Sequence, residues 1–137
     1  MSCTLGKDER LKSRKQIELL FAGGKSFSLP PFRVYYSVEN NNDIASLGNL
    51  QKSSLRMGVG VSSRHFKRAT DRNRMKRLIR ESWRIQKNEL NEMLKTTGKQ
   101  MNVFFIYTGR ELAEFTLLKT ATASVIQKLL ANETRNK

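Results

Sequence analysis

Apolar residues recur at helical spacing through the middle of the chain. From position 75 onward they fall at i, i+3, i+4, i+7, i+8, i+11, i+15, i+18 and i+19, which is one side of a helix with about 3.6 residues per turn. The residues of this stripe are Met75, Leu78, Ile79, Ser82, Trp83, Gln86, Leu90, Met93 and Leu94. The spacing predicts one long amphipathic helix that begins at Thr70 or Asp71, where either side chain can act as the N-cap, and fades around 95–98.

Two earlier segments alternate apolar residues with polar or small ones, which is the pattern of a strand with one buried face. The apolar faces are Phe32, Val34, Tyr36 and Val38 in the first segment and Leu55, Met57, Val59 and Val61 in the second. The polar stretch 40–54 between them predicts a long hairpin loop. The β-branched and aromatic residues at 102–108 predict a third, buried strand.

Helices are expected near both ends of the chain, the first of them short. Ser13 and Gln16 have the spacing of a capping box, and the apolar stripe that follows stops at Gly23-Gly24, so a first helix is predicted over about 13–22. Thr116 can cap a last helix whose core-facing stripe is Leu118, Ala121, Thr122, Val125 and Leu129. The predicted order, α-β-β-α-β-α, indicates an α+β fold, a two-layer α/β sandwich.

Length and composition indicate one domain. The chain has 137 residues, 38% of them hydrophobic, and we expect an ordered core over about 11–131 between a flexible basic N-terminal arm and a C-terminal tail. No apolar run approaches the roughly 18 to 20 residues of a membrane span, and no apolar segment follows the first charges, so a cytoplasmic protein is expected. One cysteine, Cys3, and one histidine, His65, exclude a disulfide framework and a dense Cys/His metal cluster.

Positive charge is concentrated on the long helix. The whole chain has 26 Lys and Arg against 12 Asp and Glu, a net charge of +14, and residues 64–87 contain ten of the bases and only two acids, Asp71 and Glu81. The side opposite the apolar stripe holds Asn73, Lys76, Arg77, Arg80, Arg84 and Lys87 within a sector of roughly 100°. Solvated helix faces usually alternate the sign of charge, so an unbalanced face predicts a polyphosphate partner.

Three short motifs in this region resemble the signature of the bacterial ribonuclease P protein component. They are Gly60-Val61-Ser62, Arg72-Asn73-Arg74-Met75-Lys76-Arg77 and Arg80-Glu81. The segment from Leu11-Lys12 through Phe21 and Gly24, followed by Phe32 and Tyr35, is also similar, so the resemblance covers about 11–130. A basic hexamer alone is weak evidence; its place at the start of a long amphipathic helix, between two strands, is specific.

The resemblance implies a function and a fold. The family is the small protein subunit of a ribonucleoprotein whose RNA hydrolyses one phosphodiester bond in precursor tRNA and releases the 5′ leader. Its fold is similar to the second domain of ribosomal protein S5, with a left-handed β-α-β crossover through the basic helix. The implied partners are the catalytic RNA and the precursor tRNA 5′ leader, with no membrane and no protein partner required. The implied cofactor is Mg²⁺, bound mainly by the RNA subunit and the substrate and not tightly by the protein.

The resemblance also implies two binding surfaces. The predicted RNA-subunit-binding residues are Arg64, Lys67, Arg68, Arg72, Asn73, Arg74, Lys76, Arg77, Arg80 and Arg84. The predicted leader-binding cleft consists of Ile17, Phe21, Arg33, Tyr35, Arg56, Gly58 and Gly60. The family often has an aromatic residue in place of Ile17, and His65 and Thr70 also depart from its pattern. A cationic N-terminal arm (Lys7, Arg10, Lys12, Arg14 and Lys15) is a further surface or a disordered tail.

Several alternatives stay open from the residues alone. Phe21 suits a stacking platform or the core, Asn73 a base contact or a helix cap, and the two strand glycines a ligand or a packed helix. No carboxylate pair, Cys/His group or glycine-rich phosphate loop is present, so no catalytic residue and no metal ligand is predicted. The alternative function is a non-enzymatic RNA-binding module, such as a ribosomal or RNA-assembly protein of the same fold. A lipid-binding helix is disfavoured because its apolar side is needed for the core.

Overall fold

The computed structural model describes residues 14–40, 55–62, 64, 66–109 and 111–135. In chain order the elements are α1 (Arg14–Gly23), β1 (Lys25–Leu29), β2 (Phe32–Asn40), β3 (Leu55–Val61), α2 (Ala69–Arg84), α3 (Asn88–Thr97), β4 (Lys99–Tyr107) and α4 (Phe115–Arg135). The α+β class is confirmed. The described ranges contain one strand and one helix more than the sequence predicts, because β1 was missed and the long helix is divided into α2 and α3.

The four strands form one sheet in the order β1-β2-β4-β3. β1 and β2 are an antiparallel hairpin around a cis Pro30–Pro31 peptide bond. β2 and β4 are antiparallel, whereas β3 and β4 are parallel neighbours joined through α2 and α3. The predicted pairing of β2 with β3 is therefore wrong, since β4 lies between them. The segment 41–54 itself lies outside the described residues, and the left-handed crossover stays a prediction.

The missed strand β1 lies at the edge of the sheet. Its sequence, KSFSL, is short and half polar, so its period-two pattern is weak, and much of its stability comes from pairing along β2. Phe27 packs edge-on against Tyr36 with ring centroids 5.9 Å apart. The ammonium of Lys128 lies 5.0 Å from the centre of the Phe27 ring.

The helices α2, α3 and α4 cover one face of the sheet, and the core lies between them and that face. The apolar faces predicted for β2 and β3 are buried there, apart from Val38 and Val61, which are partly exposed. The helical stripe is buried at Met75, Ile79, Ser82, Trp83, Leu90 and Leu94. Trp83 is 1% exposed and meets Phe105 edge-on at 5.4 Å.

The interruption between α2 and α3 coincides with a distinct set of hydrogen bonds at Gln86. Gln86 donates its side-chain amide to the Ser82 carbonyl, at 2.8 Å, and to the Lys119 carbonyl of α4, at 3.0 Å. The backbone N–H of Gln86 donates instead to the Trp83 carbonyl. Ile85 and Lys87 keep right-handed helical backbone angles, so the rotation per residue is nearly preserved and the apolar stripe continues through the break.

The predicted helix boundaries are close to the observed ones but differ in their caps. The N-cap of α2 is Arg68, without a side-chain capping bond, and Thr70 and Asp71 lie inside the first turn. α3 ends at Gly98, whose φ of 68° is in the left-handed region that glycine tolerates. Ser13, the predicted cap of α1, lies outside the described residues, as do residues 1–12 of the predicted N-terminal arm. Thr116 lies within α4 rather than before it.

Candidate nucleic-acid interface

The outward side of α2 presents a basic face. Asn73, Arg74 and Arg77 are exposed, and Lys76 and Arg80 are partly exposed. Among the described residues, Arg74 and Arg77 take part in no ion pair with an acidic side chain. The opposite side of the same helix is anchored in the core, so these cations are held on a rigid element.

Arg84 is placed differently from the other cations of this face. Its guanidinium forms a two-point ion pair with the Glu81 carboxylate, in which Nε and Oε2 lie 2.9 Å apart and Nη2 donates to Oε1. The hydrogen bond from Arg84 and its charge hold the pKa of Glu81 below its usual range. Lys87, which helical spacing placed on the basic face, is only 5% exposed, so that placement is wrong.

The linker between β3 and α2 continues the basic face. Arg64, Lys67 and Arg68 are exposed there. Arg72, in contrast, is partly buried, and its Nη1 donates to the carbonyls of Phe66, at 2.7 Å, and Lys67, at 3.0 Å. Of the ten predicted RNA-subunit-binding residues, six are thus exposed and Lys76, Arg80 and Arg84 are partly exposed, whereas Arg72 is hydrogen-bonded to the protein backbone. His65 lies outside the described residues.

The other face of the sheet holds an aromatic cluster under α1. Phe21 of α1 is 44% exposed and lies over Tyr35 and Phe104, with ring centroids 4.7 Å and 5.3 Å away. Strand register places Tyr35 of β2 beside Phe104 of β4 and Phe104 beside Gly58 of β3. Of the two interpretations of Phe21, the exposed ring fits a stacking platform better than a core residue.

Arg33 lies at the open side of this cluster. Its side chain is exposed, its Nε donates to the Tyr35 hydroxyl at 2.9 Å, and its guanidinium carbon lies 5.5 Å from the centre of the Tyr35 ring. Because the hydroxyl oxygen of Tyr35 accepts this bond, its own O–H remains available as a donor. A cation, a hydroxyl donor and a ring face are therefore adjacent.

The remaining residues predicted for the cleft are less exposed than Phe21 and Arg33. A Cβ at Gly60 would lie 3.1 Å from Cε1 of Phe104, so this glycine makes room for that ring. Gly58 is buried in the row of Phe104. Ile17, one turn before Phe21 on α1, and Arg56, beside Asn102 in the register, are partly buried.

Phe104 is the cleft residue that the sequence analysis missed. Interpreting 102–108 as a strand buried on both faces hid its alternation, in which Asn102, Phe104 and Ile106 are partly exposed while Val103, Phe105 and Tyr107 are buried. The same period-two test that identified β2 would have assigned Phe104 to the outer face.

Two further properties concern metals and membranes. Within the described ranges no group of three or more His, Cys, Asp or Glu side chains is arranged to hold a metal ion. No helix in the same ranges is both long and apolar enough to cross a membrane.

Comparisons of the sequence with known proteins identify one family. The sequence model of the family Ribonuclease P matches residues 5–130. The Ribonuclease P protein component of Porphyromonas gingivalis is 32% identical over 128 residues, which are 93% of this chain and 88% of that protein.

Two solved structures show the same fold. The RNase P protein of Staphylococcus aureus has a TM-score of 0.65 at 20% identity, covering 88% of this chain and 94% of that one. The RNase P protein from Thermotoga maritima has a TM-score of 0.60 at 24% identity, covering 88% and 96%. With the family match over most of its length and a relative of 32% identity, this chain belongs to the ribonuclease P protein component family.

Proposed function

We propose that this chain is the RNA-binding subunit of ribonuclease P, which assists endonucleolytic removal of the 5′ leader from precursor tRNA in the cytoplasm. In this proposal the basic face of α2 and its linker bind the catalytic RNA, and the cleft between α1 and the sheet binds the single-stranded leader. The observation that carries the proposal is the separation of two exposed surfaces, one cationic and one aromatic, on opposite sides of a single sheet.

Several properties of the basic face support contact with structured RNA. Arginine presents a planar fork that matches two phosphate oxygens. Arg74 and Arg77 are exposed on a helix whose other side is anchored by Trp83, so the helix itself does not have to become ordered on binding. The apolar stripe is used by the core, which disfavours the lipid-binding alternative.

The aromatic cluster suits a single strand of variable sequence. Nucleobases stack on aromatic rings with little regard to their identity, because every base has a π-face. Phe21 is exposed and Tyr35 and Phe104 are partly exposed, while Arg33 lies close enough to meet a backbone phosphate of a strand stacked on Tyr35. The proposed division gives the protein binding roles only, with Mg²⁺ and the hydrolytic step assigned to the RNA subunit and substrate.

Reconstitution tests the proposal. The protein is mixed with its cognate RNA, and cleavage of a leader-bearing precursor tRNA is followed at low Mg²⁺ concentration. We expect faster cleavage than by the RNA alone, and a loss of that gain when Arg74 and Arg77 are both replaced by alanine. Lys95→Ala, which removes an exposed charge from α3, is the matched control and should retain the gain. Equal rates with and without the wild-type protein would contradict the proposal.

A further inference from the structure

The described residues between β3 and α2 are Ser62, Arg64 and 66–68. The Phe66 N–H donates to the Ser62 carbonyl at 3.1 Å, and the Arg64 N–H donates to the Ser62 hydroxyl oxygen at 3.1 Å. The Phe66 side chain is buried, with its ring 5.9 Å from that of Tyr107. The backbone therefore turns inward at Phe66 and outward again at Lys67 and Arg68, both of which are exposed.

Arg72 closes this linker from the helix side. A single guanidinium nitrogen donates to two successive carbonyls, those of Phe66 and Lys67, which lie six and five residues earlier in the chain. The backbone N–H of Arg72 also donates to the Arg68 carbonyl, at 3.2 Å. Since Arg68 has no side-chain capping bond, the side chain and backbone of Arg72 together join the first turn of α2 to the linker.

The placement of this charge requires a local explanation. A cation in the first turn of a helix faces the positive end of the helix dipole, which is unfavourable. Hydrogen bonds from a charged donor to carbonyl oxygens are stronger than neutral ones and offset that repulsion. Part of the Arg72 guanidinium is thus hydrogen-bonded to the backbone. Arg77, five residues later, is exposed, and no hydrogen bond from its guanidinium to a carbonyl is found among the described residues.

We propose that Arg72 is a positioning residue, which holds the Phe66 and Lys67 carbonyls and so fixes the directions in which Lys67 and Arg68 leave the linker. This inference deepens the proposed function and rests on it, because Lys67 and Arg68 are taken to contact the RNA subunit. A loss of Arg72 then weakens RNA binding through other side chains and not through a lost phosphate contact of its own.

The first test uses the free protein and needs no RNA. Amide hydrogen exchange is compared in the wild type, Arg72→Met and the matched variant Arg77→Met, each of which keeps an aliphatic stem. We expect the Phe66 amide, whose N–H donates to the Ser62 carbonyl, to exchange about tenfold faster in Arg72→Met, because the bonds from Arg72 that hold this turn are lost, and no change there in Arg77→Met. Unchanged exchange of the Phe66 amide in Arg72→Met would overturn the inference.

A second measurement on the wild-type protein covers the case in which Arg72→Met does not fold. Nitrogen-15 NMR reports the rotation of each guanidinium group. We expect separate, slowly exchanging Nη signals for Arg72 and a single averaged signal for Arg77. Averaged signals for both residues would show that Arg72 is not held, and would overturn the inference.

A double-mutant cycle tests the consequence for RNA binding. Lys67→Ala is introduced into the wild type, Arg72→Met and Arg77→Met, and the affinity for the RNA subunit is measured. We expect the fold-loss from Lys67→Ala to shrink to less than half in the Arg72→Met background and to stay unchanged in the Arg77→Met background. Additive effects in both backgrounds would overturn the inference. If the wild type itself shows no affinity for the RNA, the proposed function fails and the RNA part of this inference fails with it. The exchange result still tests separately whether Arg72 holds the linker carbonyls.

Discussion

Arg77 has an exposed side chain on the outward side of α2 and lies two residues from each of the buried Met75 and Ile79, which fix the helix. Among the described residues, its guanidinium forms no ion pair with an acidic side chain. Removal of this side chain therefore isolates one contact with the proposed RNA partner from any effect on the fold.

Arg77→Ala should weaken binding to the RNA subunit and reduce the slope of log K against log salt concentration by about one unit, because one phosphate contact releases about one counterion. The melting temperature should change little, as for most exposed substitutions. Affinity titrations at several salt concentrations and a thermal melt measure both quantities. Lys95→Ala is the control, and a large fall in melting temperature for Arg77→Ala would identify that residue as structural.

Glu81 provides a prediction about pH. Its pKa is lowered from 4.5 by the hydrogen bond and charge of Arg84, so its ionised form is favoured in the folded state. The stabilising contribution is present above the pKa of the unfolded chain and is lost as pH falls through the lower, folded-state pKa. A carboxyl carbon-13 titration should show a midpoint below 4.5 in the wild type and a rise toward the ordinary value in Arg84→Met. An identical midpoint in both proteins would contradict the ion pair.

Single residues also show how far sequence reasoning reaches. The cationic cluster was located from residue spacing because charge and helical period are both written in the sequence. The separate roles of Arg72 and Arg84 could not be located in this way, since the partners of Arg72 are backbone carbonyls, which have no residue-type signature. For the same reason, the sequence predicted similar behaviour for Arg72 and Arg77.

At the scale of elements, α2 combines a core face with a binding face. Trp83 is the largest fully buried side chain of the described residues and lies between the helix and Phe105 of the central strand β4. Ser82 and Thr122 share a buried hydroxyl hydrogen bond of 2.8 Å between α2 and α4. The orientation of the basic face is therefore set by contacts on the other side of the helix.

Trp83→Ala should destabilise the protein by about 3 to 5 kcal/mol, from lost burial and the cavity left behind. Chemical denaturation measures this loss. Leu117→Ala, on the exposed side of α4, is a control that removes an apolar side chain without opening the core. A loss below about 1 kcal/mol for Trp83→Ala would contradict its role as the anchor of α2.

The sequence located most elements because local periodicity determines them. The prediction of the apolar stripe was correct across the α2–α3 break, since the backbone there stays helical. The break itself was not predicted, and the Gln86 side-chain amide there donates to carbonyls of α2 and α4. The order of the strands was not accessible in the same way. The neighbours of β4 are far away in sequence, and local patterns do not specify such pairings.

At the scale of the whole molecule, the sheet separates two surfaces. Helices cover one face and direct the cations of α2 outward, while Phe21, Tyr35 and Phe104 lie on the other face. Alternation along β4 creates this arrangement, because Phe105 points to the helices and Phe104 to the cleft. Under the proposed function, the RNA subunit and the leader therefore occupy different surfaces and do not compete.

The most direct test of this account is the affinity of the reconstituted enzyme for precursor tRNA relative to mature tRNA, which lacks the leader. Three variants are compared with the wild type: Tyr35→Ala removes a ring from the cleft, Tyr35→Phe removes only the hydroxyl, and Arg77→Ala changes the basic face. Tyr35→Ala should lower the affinity for precursor tRNA by about 1 to 3 kcal/mol, from one lost stacking contact, with mature tRNA unaffected. Tyr35→Phe should stay close to the wild type, and Arg77→Ala should weaken assembly with the RNA subunit while leaving the ratio of the two affinities unchanged. A Tyr35→Ala enzyme with an unchanged ratio, or an Arg77→Ala enzyme with a reduced one, would contradict the division of the protein into an RNA-subunit surface and a leader cleft.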